Sequence, residues 1–207
     1  MIFEVLEVGP LGVNCIILGC PDSREGIVID PGGDVERISA AVSRHGLKIR
    51  HIINTHGHFD HVGGNRRAVG VFGAPLVIHE EDAAMLGRVS EVARMYGMPG
   101  EDSPPADRFL TDGMEIPFGN SSLKVIHTPG HTRGGCCLYL EKEQLLISGD
   151  TLFADSIGRT DLPGGSHGQL LDSIRTRLFP LPEDTVVYPG HGPHTTIGHE
   201  KHHNPYF

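Results

Sequence analysis

Positive charge is what this sequence most lacks. Lys and Arg number 17 against 26 Asp and Glu, for a formal net charge of −9. So acidic a surface repels polyphosphate, which excludes nucleic acid and anionic membrane as partners. Long apolar runs are also missing: nowhere do about 18 apolar residues follow one another, the length a membrane-spanning helix needs. The start, Met1-Ile2-Phe3-Glu4, carries neither the basic cluster nor the apolar stretch of a secretory leader. The expectation is a cytoplasmic protein. Cysteine is scarce, limited to Cys15, Cys20, Cys136 and Cys137, with no CxxC spacing. Cys136 and Cys137 are adjacent in an apolar stretch, so on a strand they face opposite sides. All four read as small buried hydrophobes in a reducing compartment, not as ligands or disulfides. No low-complexity segment or linker divides the chain, so residues 1–207 are expected to form one domain.

What the sequence does have is histidine, and its placement is not scattered. Thr55-His56-Gly57-His58-Phe59-Asp60-His61 packs three imidazoles and a carboxylate between an apolar run ending at Asn54 and the helix-like Val62-Gly63-Gly64-Asn65. His56 and His58 are two apart, so on an extended backbone they point the same way. Asp60 and His61 lie past the bend and reach a second point. Imidazole and carboxylate at a strand-to-helix turn suit a divalent metal. With 14 histidines in the chain single coincidences are expected, but a cluster in this order is not. Three later residues repeat the pattern of a polar side chain just past a short apolar run: His131 after Leu123 to Ile126, Asp150 after Gln144 to Ile147, and His191 after Thr185 to Tyr188. Sheet proteins collect their sites at such strand ends.

Taken in order, Ile2 to Val8, Val13 to Leu18 and Gly26 to Ile29 alternate as strands. Asp30-Pro31-Gly32-Gly33 reads as a tight turn. Asp34 reads as the N-cap of a helix through His45, with Val35, Ile38 and Val42 on one face. Ile49 to Asn54, Leu76 to Ile78, Met114 to Pro117, Leu123 to Ile126, Cys136 to Leu140, Gln144 to Ile147 and Thr185 to Tyr188 read as further strands. Helices are expected at 64–72, 80–86 and 168–179, the last with a Leu170, Leu171, Ile174, Leu178 stripe. Residues 87–107 break the periodicity and read as a loop insertion, and the His-rich tail as a packed or solvated terminus. Strands with flanking helices, twice over, suggest two sheets face to face with helices outside.

The string His56-x-His58-x-Asp60-His61, followed by His131, Asp150 and His191, resembles the metallo-β-lactamase superfamily. The resemblance implies an α/β fold, the four-layer αβ/βα sandwich. It implies two divalent metal ions: His56, His58 and His131 hold one, Asp60, His61 and His191 the other, and Asp150 bridges them. Zinc leads, with iron or manganese as alternatives. A hydroxide between ions roughly 3.5–4 Å apart would be the nucleophile. β-Lactamases of this fold typically place a cysteine at a zinc site, and none stands at a ligand position here.

Gly149-Asp150-Thr151-Leu152-Phe153, Gly158-Arg159-Thr160-Asp161 and the closing segment from Gly190 to Glu200 are similar to glyoxalase II and its short, hydroxyacylglutathione hydrolase-like relatives. This resemblance implies thioester hydrolysis on a small-molecule substrate, with Asp60 orienting the hydroxide and Arg159 meeting a glutathione carboxylate. A surface pair with Asp155 or Asp161 is the alternative for Arg159. In glyoxalase II the family loop at Asp30-Pro31-Gly32-Gly33 also lies near the site, and a C-terminal helical domain helps hold glutathione. That domain is not expected where only Gly192 to Phe207 follows His191. Persulfide dioxygenases share the fold and the Gly-Arg-Thr-Asp string, so a single non-haem iron on His56, His131 and Asp150 is the rival expectation.

Overall fold

Alternating strands sort their side chains into three separate cores. The computed structural model describes residues 1–207. Its first half runs β1 (Ile2–Val8), β2 (Val13–Gly19), β3 (Glu25–Ile29), α1 (Val35–Arg44), β4 (Lys48–Ile53), α2 (Phe59–Val62), α3 (Asn65–Phe72), β5 (Leu76–His79), a 3₁₀ stretch (Glu80–Arg88), α4 (Val89–Met95) and β6 (Arg108–Leu110). The second half runs β7 (Glu115–Phe118), β8 (Ser121–His127), β9 (Cys136–Leu140), β10 (Leu145–Gly149), β11 (Leu152–Phe153), β12 (Ser156–Ile157), α5 (His167–Ser173), a π turn (Ile174–Leu178), β13 (Val186–Pro189), β14 (Thr195–Thr196) and α6 (Ile197–His203). One six-stranded sheet has the order β1-β2-β3-β4-β5-β6, and the other β14-β13-β10-β9-β8-β7. The first is antiparallel through β3 and parallel from β3 to β6.

The inner core lies between the sheets. Ile16, Leu18, Ile27, Ile29 and Ile53 meet Leu123, Val125, Cys136, Leu138 and Ile147 there. Their strand neighbours turn outward. Cys15, Ile17, Val28 and Ile52 pack under α1 and α3 through Val35, Ile38, Val42 and Ala68. Cys137, Tyr139, Leu146 and Val187 pack under α5 and α6 through Leu170, Ile174, Leu178 and Ile197. Helix, sheet, sheet, helix is the four-layer αβ/βα sandwich, and period-two alternation is why it has three cores. Cys136 and Cys137 do face opposite cores, and all four cysteines are buried and free. No helix is long and apolar enough to cross a membrane.

Three local expectations are corrected, and for the tail the packed alternative is the one observed. Asp34 precedes α1 but does not cap it: its backbone is left-handed (φ 47°) and its carboxylate accepts from the Gly9 N–H instead. The 87–107 stretch is not loop throughout, since Val89–Met95 is helical. Val89, Val92 and Ala93 keep an i, i+3, i+4 apolar spacing too short to stand out among prolines and charges. The expected 168–179 helix changes to π geometry after Ser173, yet Leu170, Ile174 and Leu178 stay buried together. The tail is ordered as α6, capped by the Thr196 hydroxyl accepting from the His199 N–H.

Candidate metal centre

Four strand ends open on one point between the sheets. The turn after β4 brings His56, His58, Asp60 and His61; the loop after β8 brings His131; Asp150 follows β10; His191 follows β13. The structure brings all seven together. Ligand atoms of His56, His58 and His131 lie within 4.8 Å of one another, as do those of Asp60, His61 and His191. Asp150 stands between the trios. Its Oδ2 is 3.5 Å from His131 Nε2 and 3.9 Å from His191 Nε2, and its Oδ1 is 3.3 Å from His61 Nε2.

The outer nitrogen of three of the imidazoles shows what the inner one must be. His61 Nδ1 lies 3.0 Å from Asp30 Oδ2, His131 Nδ1 2.8 Å from the Arg159 carbonyl, and His191 Nδ1 3.1 Å from the Leu11 carbonyl. Carbonyls and carboxylates only accept, so each Nδ1 carries the proton and each Nε2 presents a lone pair inward. His61 Nε2 and His191 Nε2 then face each other across 3.3 Å, beside Asp60 Oδ2 at 3.2 Å from His191 Nε2. Lone pairs and carboxylates converging this closely require a cation or added protons between them. His56 Nε2 and Asp150 Oδ1 are in addition buried with no aligned hydrogen bond. The donor set of imidazole nitrogen and carboxylate oxygen fits divalent zinc, iron or manganese.

The titration shifts follow from the same crowding. Burial, then neighbouring imidazoles, push His56 well below the ordinary histidine value, and burial with His131 pushes His58 down to about 4. Both are thus kept neutral, the form that binds metal. Burial opposes ionisation of Asp60 and Asp150 too, but surrounding imidazoles outweigh it and hold both below the usual carboxylate range. The reverse holds for His61 and His191, where carboxylates overcome burial and raise both. Protons are drawn to where a cation would sit.

Three supporting residues stood outside the expected ligand set. Asp30, read as part of a tight turn although the resemblance places its loop near the site, is buried beneath His61, where it also accepts from the Thr55 N–H (2.8 Å) and hydroxyl (2.6 Å). It directly follows the apolar run of β3, the pattern that marked the other site residues. Asp82, also buried, accepts from the Gly57 N–H (3.0 Å), the Thr132 hydroxyl (2.7 Å) and the Gly134 N–H (2.7 Å). It ties the His56–His58 turn to the His131 loop, and nothing in Glu80-Glu81-Asp82 distinguishes it by sequence. Asn14 anchors the His191 loop by donating to the Pro189 and Gly192 carbonyls. Arg159 lines the cavity of about 230 Å³ above the site, together with Leu11, Phe59, Val92, Tyr96 and Leu162. Its guanidinium is half exposed and already forked onto Asp161, Nε to Oδ1 and Nη2 to Oδ2 at 2.8 Å each.

Residues 8–191 match the Metallo-beta-lactamase superfamily. Among characterised relatives, the chain is 35% identical to the hydroxyacylglutathione hydrolase GloC of Haemophilus influenzae, covering 100% of this chain and 98% of that protein. Among solved structures, BLEG-1 B3 metallo-beta-lactamase superposes with TM-score 0.92 at 40% identity, covering 99% of each chain. TTHA1623 in a di-iron-bound form gives 0.91 at 36% identity, covering 99% of this chain and 100% of that one. ETHE1 from Myxococcus xanthus gives 0.84 at 30% identity, covering 99% and 84%. The chain belongs to the metallo-beta-lactamase superfamily.

Proposed function

We propose that the chain is a binuclear metal-dependent thioester hydrolase of the glyoxalase II type, acting on hydroxyacylglutathione-like substrates. The observation that carries this is the convergence of three imidazole lone pairs and two carboxylates at one buried point open to a cavity. His56, His58 and His131 would hold one ion, Asp60, His61 and His191 the other, and Asp150 would touch both. Ions held there would polarise a carbonyl oxygen and bring the pKa of a water toward neutrality.

The chain's own groups supply the rest. Asp60 lines the cavity, where its ionised carboxylate would accept a hydrogen bond from the attacking water and so orient it. Phe59, Val92, Tyr96 and Leu162 wall the cavity and limit water around the reacting carbonyl. Arg159 stands at the mouth with Nη1 making no hydrogen bond, free to meet a substrate carboxylate. A thiolate leaves unaided, since a free thiol has a pKa of about 8.5, so no strong general acid is needed. Similarity to GloC and to a di-iron structure supports this reading.

The test is elemental analysis of protein purified without added metal, followed by turnover of a lactoyl thioester of glutathione. Two ions per chain and metal-dependent thiol release are expected; one iron and no thiol release would sink the proposal. Similarity to ETHE1 keeps the dioxygenase reading alive, with His56, His131 and Asp150 around one iron. Oxygen uptake with glutathione persulfide, faster than thioester release, would select it. Similarity to BLEG-1 adds a β-lactam to the same assay.

A further inference from the structure

The metal cavity does not end at its own walls. A second cavity of about 340 Å³ adjoins it beneath α4. The two share His58, Phe59, Val92, Tyr96 and Leu162. Beyond that junction the walls are Met85, Val89, Met95 and Pro163, with Arg88 and the Gly57 backbone. The Gly57 N–H donates to Asp82, and Arg88 is forked onto Glu91 at 3.0 Å twice, which leaves only its Nη1 without a hydrogen bond. A hydroxyl or carboxylate placed against Met85, Val89, Met95 and Pro163, away from that one nitrogen, would lose water and find no partner, at a net cost. An apolar chain would meet only gains. The wall is fixed in place. Val89 and Ala93 are buried, the Ser90 N–H donates to Asp102 at 2.8 Å, and Tyr96 stacks on Phe59 with ring centroids 5.3 Å apart. Met95 and Tyr96 nonetheless leave large apolar surface at the rim, 71% and 48% exposed, which a bound apolar group would cover.

We propose that this groove is an acyl subsite, so that the chain prefers thioesters whose acyl group is an apolar chain of several carbons. The inference rests on the thioester reading above and extends its acyl half, from the carbon beside the carbonyl outward, into the groove. From the metal cavity a substrate has two ways out: the apolar groove, or the side of Leu11, Arg159 and His191. The acyl chain takes the first, and a thiol bearing carboxylates takes the second, where the only cation of that cavity's rim stands. The reaction balances as water and thioester giving carboxylate, thiol and one proton: a C–O bond forms, the C–S bond breaks, and sulfur leaves with the electron pair.

The test compares acetyl- and hexanoylglutathione as substrates. In parallel, calorimetry compares the stable ketones in which S–CH₂–C(=O)–R replaces the thioester, with R methyl or pentyl. For four added methylenes in a partly open groove, kcat/KM and affinity should each rise about tenfold or more. Val92→Asp, at the junction, should bring both ratios near one. Met95→Glu, at an exposed position that cannot unfold the chain, should at least halve them. Equal binding of the two ketones by the wild type, or ratios unmoved by both substitutions, would overturn the subsite whatever the catalytic rates. Chain-length-dependent ketone binding without thioester turnover would keep the groove as an apolar subsite and refute the hydrolase reading instead.

Discussion

Replacing Asp82 by Asn tests whether two loops of the candidate metal centre are tied together by one buried carboxylate. The side chain is 1% exposed and makes three accepted bonds, to the Gly57 and Gly134 N–H groups and the Thr132 hydroxyl. The fit leaves no slack: a Cβ on Gly134 would lie 2.8 Å from Asp82 Oδ1, and one on Gly57 would lie 2.9 Å from Met85 Sδ. Asn keeps the shape but turns one acceptor into a donor, facing either one N–H or an N–H and a hydroxyl. One charge-assisted bond is lost, about 1.5–3 kcal/mol, and one buried N–H is stranded, about 1–3 kcal/mol. Partial relaxation places the total at about 3 kcal/mol. The loss should appear as a lower urea midpoint with unchanged slope. Because the carboxylate holds the His56–His58 turn against the His131 loop, affinity for the ion of that trio should fall about tenfold or more, while affinity at Asp60, His61 and His191 changes less. Spectroscopy of the cobalt-loaded protein distinguishes the two. A variant within about 0.5 kcal/mol of wild type, or one losing both sites equally, would refute the tie.

Gly190→Ala should disable the centre, because its Cβ would collide with Asp150 Oδ1 and lie 2.6 Å from His61 Cε1; full metal content in this variant would contradict the ligand geometry, and Gly87→Ala, with nothing within 4 Å of its Cβ, is the control. Arg159→Ala should raise KM for a glutathione thioester with kcat largely spared, whereas Asp161→Asn, by freeing the guanidinium fork, should lower it; identical KM values would remove the carboxylate contact. Glu4 bonds Arg44 and His45. Burial alone would raise its carboxyl, but those partners hold it below the usual range. Its stabilisation is therefore present above the unfolded value near pH 4.3 and lost as pH falls through the lower folded value. Glu4→Gln should cost about 0.5–1 kcal/mol at pH 6, and urea titration should show the gap closing below about pH 3; a gap that persists there would refute the assignment.

The longer strands and the seven side chains brought together at their ends were legible because their signals are local, whereas the two- and three-residue strands β6, β11, β12 and β14 are too short to show alternation and were not expected. A strand buried on both faces reads as an apolar run, and a site residue at its end interrupts that run, as at His131, Asp150 and His191. Asp30 obeys the same rule after β3, but its Asp-Pro-Gly-Gly setting also spells a turn, and Gly32 indeed donates back to the Asp30 carbonyl. One residue does both jobs, and the turn hid the other. Asp82 and Asn14 were not legible, because each acts on residues far along the chain: Asp82 on Thr132 and Gly134, Asn14 on Pro189 and Gly192. Arg159 shows a third limit. The resemblance pointed to its guanidinium, yet its backbone carbonyl, holding His131, is its firmest contact with the centre. Replacing its side chain would leave that carbonyl in place, so an Arg159 variant reports on substrate contact alone. The helix α4 follows the same logic in reverse. Its two turns are too short for periodicity to reveal, yet Val92 and Tyr96 reach both cavities. The candidate metal centre, built from strand ends, is fixed by the sandwich, whereas the wall of the cavity above it is carried in part by the segment with the weakest sequence signal.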